Sequence, residues 1–128
     1  MSHLGLNKRP VNLALWTIRF PIPAIISILH RLSGFLLFLL IPFTIYVWQY
    51  SLISADNFDN VKTNFQSLSV KFLVWLFISA LIYHLIAGIR HLLMDMHIGD
   101  SKVAGRVSSY IVLALSIILA LGLGVYIW

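Results

Sequence analysis

Of the five histidines in the chain, His84 alone falls deep inside a long apolar run, residues 72–95, FLVWLFISALIYHLIAGIRHLLMD. An ionisable side chain at membrane depth is costly and is found facing a bundle interior, a cavity or a cofactor. The helical rise puts His84 roughly 16 Å along the axis from Asp95. His84, Gly88, His91 and Asp95 repeat at i, i+4, i+7 and i+11, so they share one helix face. A glycine one turn from an imidazole leaves room for something flat beside the backbone. An imidazole nitrogen is an axial ligand for the iron of a b-type haem, whose propionates also need cations. His30, Arg31 and His91 stand at suitable depths for that pairing, and arginine can hold a carboxylate through two parallel bonds. The rival explanation for His84 is a histidine that hydrogen-bonds a neighbouring helix.

Ser27 and Arg31 lie one turn apart on the first apolar run and so share a face. They can form a polar pocket that hydrogen-bonds a quinone carbonyl near the membrane surface. Spacing alone equally allows a snorkelling arginine and a serine bonded to its own helix. Arg90 and Asp95 either belong to the site or end the helix at the interface. Met94 and Met96, close to a helix end, read as lipid or packing contacts. Tyr83 reads as packing, and His3 and His97 as solvent-facing.

The elements that must carry these residues are membrane helices. Of the 128 residues 60% are hydrophobic and only 10% charged, and the mean hydropathy is +0.94. Soluble domains carry about 25% charged residues, so the expected class is an all-α integral membrane protein forming one membrane domain over residues 1–128. Residues 1–23 read as an uncleaved cytoplasmic interfacial segment, with Lys8, Arg9 and Arg19 at the headgroups and Trp16 as an anchor. Pro21 and Pro23 open the first helix. Spans are expected at about 24–50, 71–96 and 107–128, each of about the 20 apolar residues a bilayer requires. The polar stretch 51–69 reads as an external loop. Lys8, Arg9, Arg19, Arg31, Arg90, Lys102 and Arg106 fall on one side, against Lys62 and Lys71 on the other. That bias puts the N-terminus in the cytoplasm and the C-terminus in the periplasm, and the net charge of +5 then implies no nucleic-acid partner. The absence of cysteine excludes a thiolate-bound iron–sulfur cluster and a covalently attached haem in this chain.

Two motifs carry a family resemblance. Arg9-Pro10-Val11 is followed by Ser27-Ile28-Leu29-His30-Arg31-Leu32-Ser33-Gly34, and later His84 leads into Gly88-Ile89-Arg90-His91-Leu92-Leu93-Met94-Asp95. Nearly the whole chain resembles the cytochrome b membrane-anchor subunit of bacterial succinate dehydrogenase, the succinate:quinone oxidoreductase known as respiratory complex II. One departure is His97, where the second pattern usually closes with a small residue. The resemblance implies a bundle of three transmembrane helices completed by a second hydrophobic anchor subunit in the bacterial inner membrane. It also implies an iron–sulfur subunit that relays electrons and a flavoprotein subunit that oxidises succinate. By position, His84 becomes one axial ligand of a haem b whose other ligand comes from the partner anchor. Ser27 and Arg31 become ubiquinone-site residues, and His30, Arg31 and His91 lie near the haem propionates. Such a chain is catalytic only within its complex, passing electrons on to ubiquinone. Two other functions stay open on the residues alone: a haem-free structural anchor of a fumarate reductase-like complex, and a small proton-conducting membrane protein using its histidines as a relay.

Overall fold

The computed structural model describes residues 17–128, and these form four helices: α1 (Ile22–Ile53), α2 (Ala55–Asn64), α3 (Leu68–Asp95) and α4 (Lys102–Ile127). Helices α1, α3 and α4 are each long and apolar enough to cross a membrane. The expected interfacial segment lies mostly outside the described residues, including Lys8, Arg9 and Trp16.

Each long helix starts ahead of its apolar run, and at α4 a side-chain cap rather than hydropathy decides where backbone bonding begins. Pro23 sits in the first turn of α1, where its missing N–H has no intrahelical partner to lose. The Ser101 hydroxyl accepts from the Ala104 N–H at 3.2 Å, so the charged stretch from Lys102 to Arg106 is already helical. In the same way the Ser54 hydroxyl accepts from the Asn57 N–H at 3.1 Å and starts α2. The stretch expected as a loop therefore contains a short polar helix, with Asp56 in its first turn and Lys62 in its last, matching the helix dipole.

Packing is sparse. Ile26, Ala87 and Val112, one from each long helix, make the buried apolar core, ringed by Ile22, Tyr83, Ile86 and Leu113. Only 6–11% of the most apolar window of each span is buried within the chain. In water that much bare apolar surface is untenable; lipid and partner helices are its natural solvent.

Helix α3 packs against both α1 and α4, antiparallel to each. The α3–α4 contact is fastened at both ends. At one end the Trp75 indole N–H donates to the Ala120 carbonyl at 2.7 Å. Gly124 admits the ring, since a Cβ there would lie 3.2 Å from the indole nitrogen. Beside it Lys71 Nζ donates to the Ile127 carbonyl at 3.3 Å, a cation at a helix C-terminus. At the other end stands Arg90.

Helix α3 closes in a Schellman turn: the His97 N–H donates to the Met94 carbonyl and the Ile98 N–H to the Leu93 carbonyl. That motif needs a left-handed residue after the cap, and His97 takes it with φ of 59°. The departure from a small residue at this position is thus a departure at a backbone site where glycine is favoured.

Candidate functional site

On α1, Ile26, His30 and Ser33 follow i, i+4, i+7 spacing and turn towards α3. On α3, His84, Gly88 and His91 do the same towards α1. Tyr83 locks the register by donating its hydroxyl hydrogen to the Ile26 carbonyl at 2.9 Å, a bond no single-helix pattern could foresee.

The three histidines meet between these faces. The rings of His30 and His84 stack with centroids 4.2 Å apart and 12° between planes, and His91 sits 5.1 Å from His30 at a 47° tilt. The Ser33 hydroxyl donates to the His30 carbonyl at 2.8 Å, and its oxygen lies 3.0 Å from His84 Nδ1. The same Nδ1 is 3.2 Å from the His30 carbonyl oxygen. His84 Nε2 forms no hydrogen bond among the described residues. His30 Nε2 is buried and has no hydrogen-bond partner among the described residues.

Two glycines make the space. A Cβ on Gly34 would stand 2.8 Å from His84 Cε1, closer than atoms can approach. A Cβ on Gly88 would lie 3.3 Å from His30 Nε2. The flat group beside Gly88 is therefore the imidazole of His30, while Gly34 cradles His84. Neither Ser33 nor Gly34 was singled out by spacing on α3; they stand two and three residues after Arg31, and that closeness is the signal that could have found them.

Ser27, Arg31 and Gly34 fall on one stripe of α1 by the same i, i+4, i+7 rule. Ser27 is half-buried and Arg31 exposed. A polar stripe thus leads from the seat of His84 towards the start of α1. Asp95 and Met96 are exposed, as is His97, which faces Asp100 at 3.4 Å. Among the described residues no group of three His, Asp or Glu side chains is arranged to hold a metal ion by itself.

Arg90 belongs to neither a helix end nor the histidine cluster. It is only 6% exposed, reaches from α3 to α4, and donates from Nε to Ser108 Oγ at 2.9 Å and from Nη2 to the Gly105 carbonyl at 3.0 Å. Ser109 donates to the same carbonyl at 2.7 Å. A Cβ at Gly105 would sit 4.0 Å from Nη2, an ordinary contact, so it is the Gly105 carbonyl that holds the guanidinium.

Three membrane-length helices with imidazoles gathered between two of them define a class, the multi-pass helical membrane proteins. Residues 5–123 match the model of the succinate dehydrogenase/fumarate reductase transmembrane subunit. The chain is 43% identical over 122 residues to the succinate dehydrogenase cytochrome b556 subunit of Coxiella burnetii, covering 94% of this chain and 98% of that protein. It is 35% identical to the subunit of the same name from Rickettsia typhi, covering 90% of each. The chain belongs to the succinate dehydrogenase/fumarate reductase transmembrane subunit family and is a multi-pass membrane protein.

Proposed function

We propose that this chain, as an anchor subunit of a succinate dehydrogenase in the bacterial inner membrane, holds haem b with a second anchor subunit and takes part in electron delivery from the iron–sulfur subunit to ubiquinone. The observation that carries the reading is the packing around His84: an imidazole at mid-span, cradled by Gly34, beside a buried His30 nitrogen with no hydrogen-bond partner among the described residues. Buried polar groups are normally satisfied, so an orphaned imidazole nitrogen fits a site completed by another group. The relatives' name, cytochrome b556 subunit, agrees.

In this reading His84 would hold the haem iron together with a ligand from the partner anchor. His30, Arg31 and His91 would hold the haem's carboxylates, with Arg31 offering a permanent cation. When bound, the haem supplies one-electron exchange; the chain supplies orientation and charge. The Ser27 hydroxyl donates a hydrogen bond to a ubiquinone carbonyl, and Arg31 stabilises the negative charge that develops as the quinone gains electrons. Full reduction to the quinol takes two electrons and two protons, the electrons coming from succinate through the flavoprotein and iron–sulfur subunits. The excess of Lys and Arg at the α1 start and the α3–α4 turn supports a cytoplasmic N-terminus and a periplasmic C-terminus.

The test is a reduced-minus-oxidised absorption spectrum of the purified complex and of its His84→Leu variant. The expected result is a low-spin bis-histidine spectrum in the parent and its loss in the variant, with the helix and its fit to lipid intact. An unchanged spectrum in the variant would show that His84 is not the ligand.

A further inference from the structure

We infer that Ser33 is a positioning residue for His84: its hydroxyl fixes the imidazole as the Nδ1–H tautomer in one plane, which puts the lone pair on Nε2. This rests on the haem reading and adds the group that sets the ligand's orientation and donor strength.

The chemistry follows from which atoms have hydrogens to give. The Ser33 O–H is committed to the His30 carbonyl at 2.8 Å. Its oxygen therefore turns lone pairs towards His84 Nδ1 at 3.0 Å. The His30 carbonyl, itself an acceptor, lies 3.2 Å from the same nitrogen. Two acceptor oxygens converging on one ring nitrogen accommodate an N–H and repel a lone pair. The opposite tautomer would need the serine hydrogen withdrawn from the carbonyl, and would leave that carbonyl facing a nitrogen lone pair. Neutral imidazole has one N–H, so Nε2 is the nitrogen left with a lone pair to share.

The arrangement also acts on strength. An N–H that donates to oxygen acceptors makes the far nitrogen of a ligating histidine more basic, and such outer partners fix ring orientation. Ser33 is 9% exposed, so water has little access to take over if the hydroxyl is removed. Gly34, the next residue, clears the edge of the ring. One turn of α1 thus sets both the plane and the tautomer of a side chain carried by α3.

The experiment compares the assembled complex with its Ser33→Ala and Ser33→Thr variants, reading the haem midpoint potential, the low-spin spectrum, and haem loss to a scavenging apoprotein. Ser33→Ala should keep a low-spin haem but shift its midpoint potential upwards, because a weaker donor favours ferrous iron. Haem affinity should fall about 10- to 100-fold, the usual effect of removing such a partner. Ser33→Thr keeps the hydroxyl and should return both values towards the parent. A parent complex without a haem spectrum would defeat the haem reading and this inference with it. A haem-loaded Ser33→Ala complex with parental potential and affinity would defeat this inference alone, as would a Thr variant no closer to the parent than Ala.

Discussion

The imidazoles of His30 and His84 lie almost parallel, 12° between planes at a centroid separation of 4.2 Å, although 54 residues of chain separate them. A stacked ring on one side and the bare Cα of Gly34 on another leave His84 little freedom. Its orientation is a property of the α1–α3 packing as much as of its own rotamer.

Gly34→Ala tests that confinement. The new methyl would lie 2.8 Å from His84 Cε1, so the ring must move and give up its contacts with Ser33 and His30. Overpacking of this kind costs about 1–3 kcal/mol, more than the ~1 kcal/mol that alanine gains over glycine inside a helix. Gly122 has nothing within 4 Å of a built Cβ, so Gly122→Ala should be neutral or stabilising. Haem content and thermal melting of the purified complexes check this; equal haem content in the two variants would contradict it.

Arg90→Met removes two bonds from a guanidinium to α4. Hydrogen bonds to charged groups contribute about 1.5–3 kcal/mol each. Gly105 keeps its serine donors, so the expected net loss is about 2–3 kcal/mol. Arg90→Lys should not recover it, because one ammonium cannot reproduce a fork that uses Nε and Nη2 together. The haem spectrum of surviving complexes should be unchanged, since Arg90 bonds to α4 and not to His84. Unfolding midpoints and spectra on the same samples decide the matter.

Ser27→Ala should slow ubiquinone reduction while leaving the haem spectrum nearly as it was, for only one hydrogen bond to the substrate is lost. Arg31→Leu should slow it further and also perturb the haem, because on the proposed reading that cation serves both groups. Succinate oxidation measured with an artificial acceptor that draws from the soluble subunits should be little affected. Parental quinone kinetics in both variants would remove these residues from the quinone site.

His97→Gly should stabilise the protein. A left-handed conformation costs a residue with a Cβ about 1–2 kcal/mol, and the variant gives up only an exposed pairing with Asp100 at 3.4 Å, of a kind that contributes little. A higher melting midpoint with unchanged spectrum and activity is expected; a lower one would mean that the Asp100 contact matters more than the strain.

Hydropathy made the spans legible because lipid demands a run of apolar residues whatever the neighbours do. The helix starts were less legible. Ser54 and Ser101 begin α2 and α4 through their side-chain oxygens, and a serine in a polar stretch is as much a loop residue as a cap until its geometry is known. Arg90 was ambiguous for another reason: a cation about one and a half turns from a helix end suits the headgroup region and a neighbouring helix equally well, and only the position of Gly105 decides between them.

By itself, the sequence determined which residues share a helix face, because i, i+4 and i+7 spacing is a local property of one backbone. His84, Gly88 and His91 on one stripe, and Ser27 with Arg31 on another, needed nothing more. Only the tertiary structure decided that the imidazole of His30 fills the space at Gly88, that Gly34 cradles His84, and that two oxygens converge on His84 Nδ1. Those contacts depend on the axial register between α1 and α3. That register is set by packing, with the Tyr83–Ile26 bond and the crossing of Ile26 and Ala87, between residues too far apart in sequence for any helical period to relate them.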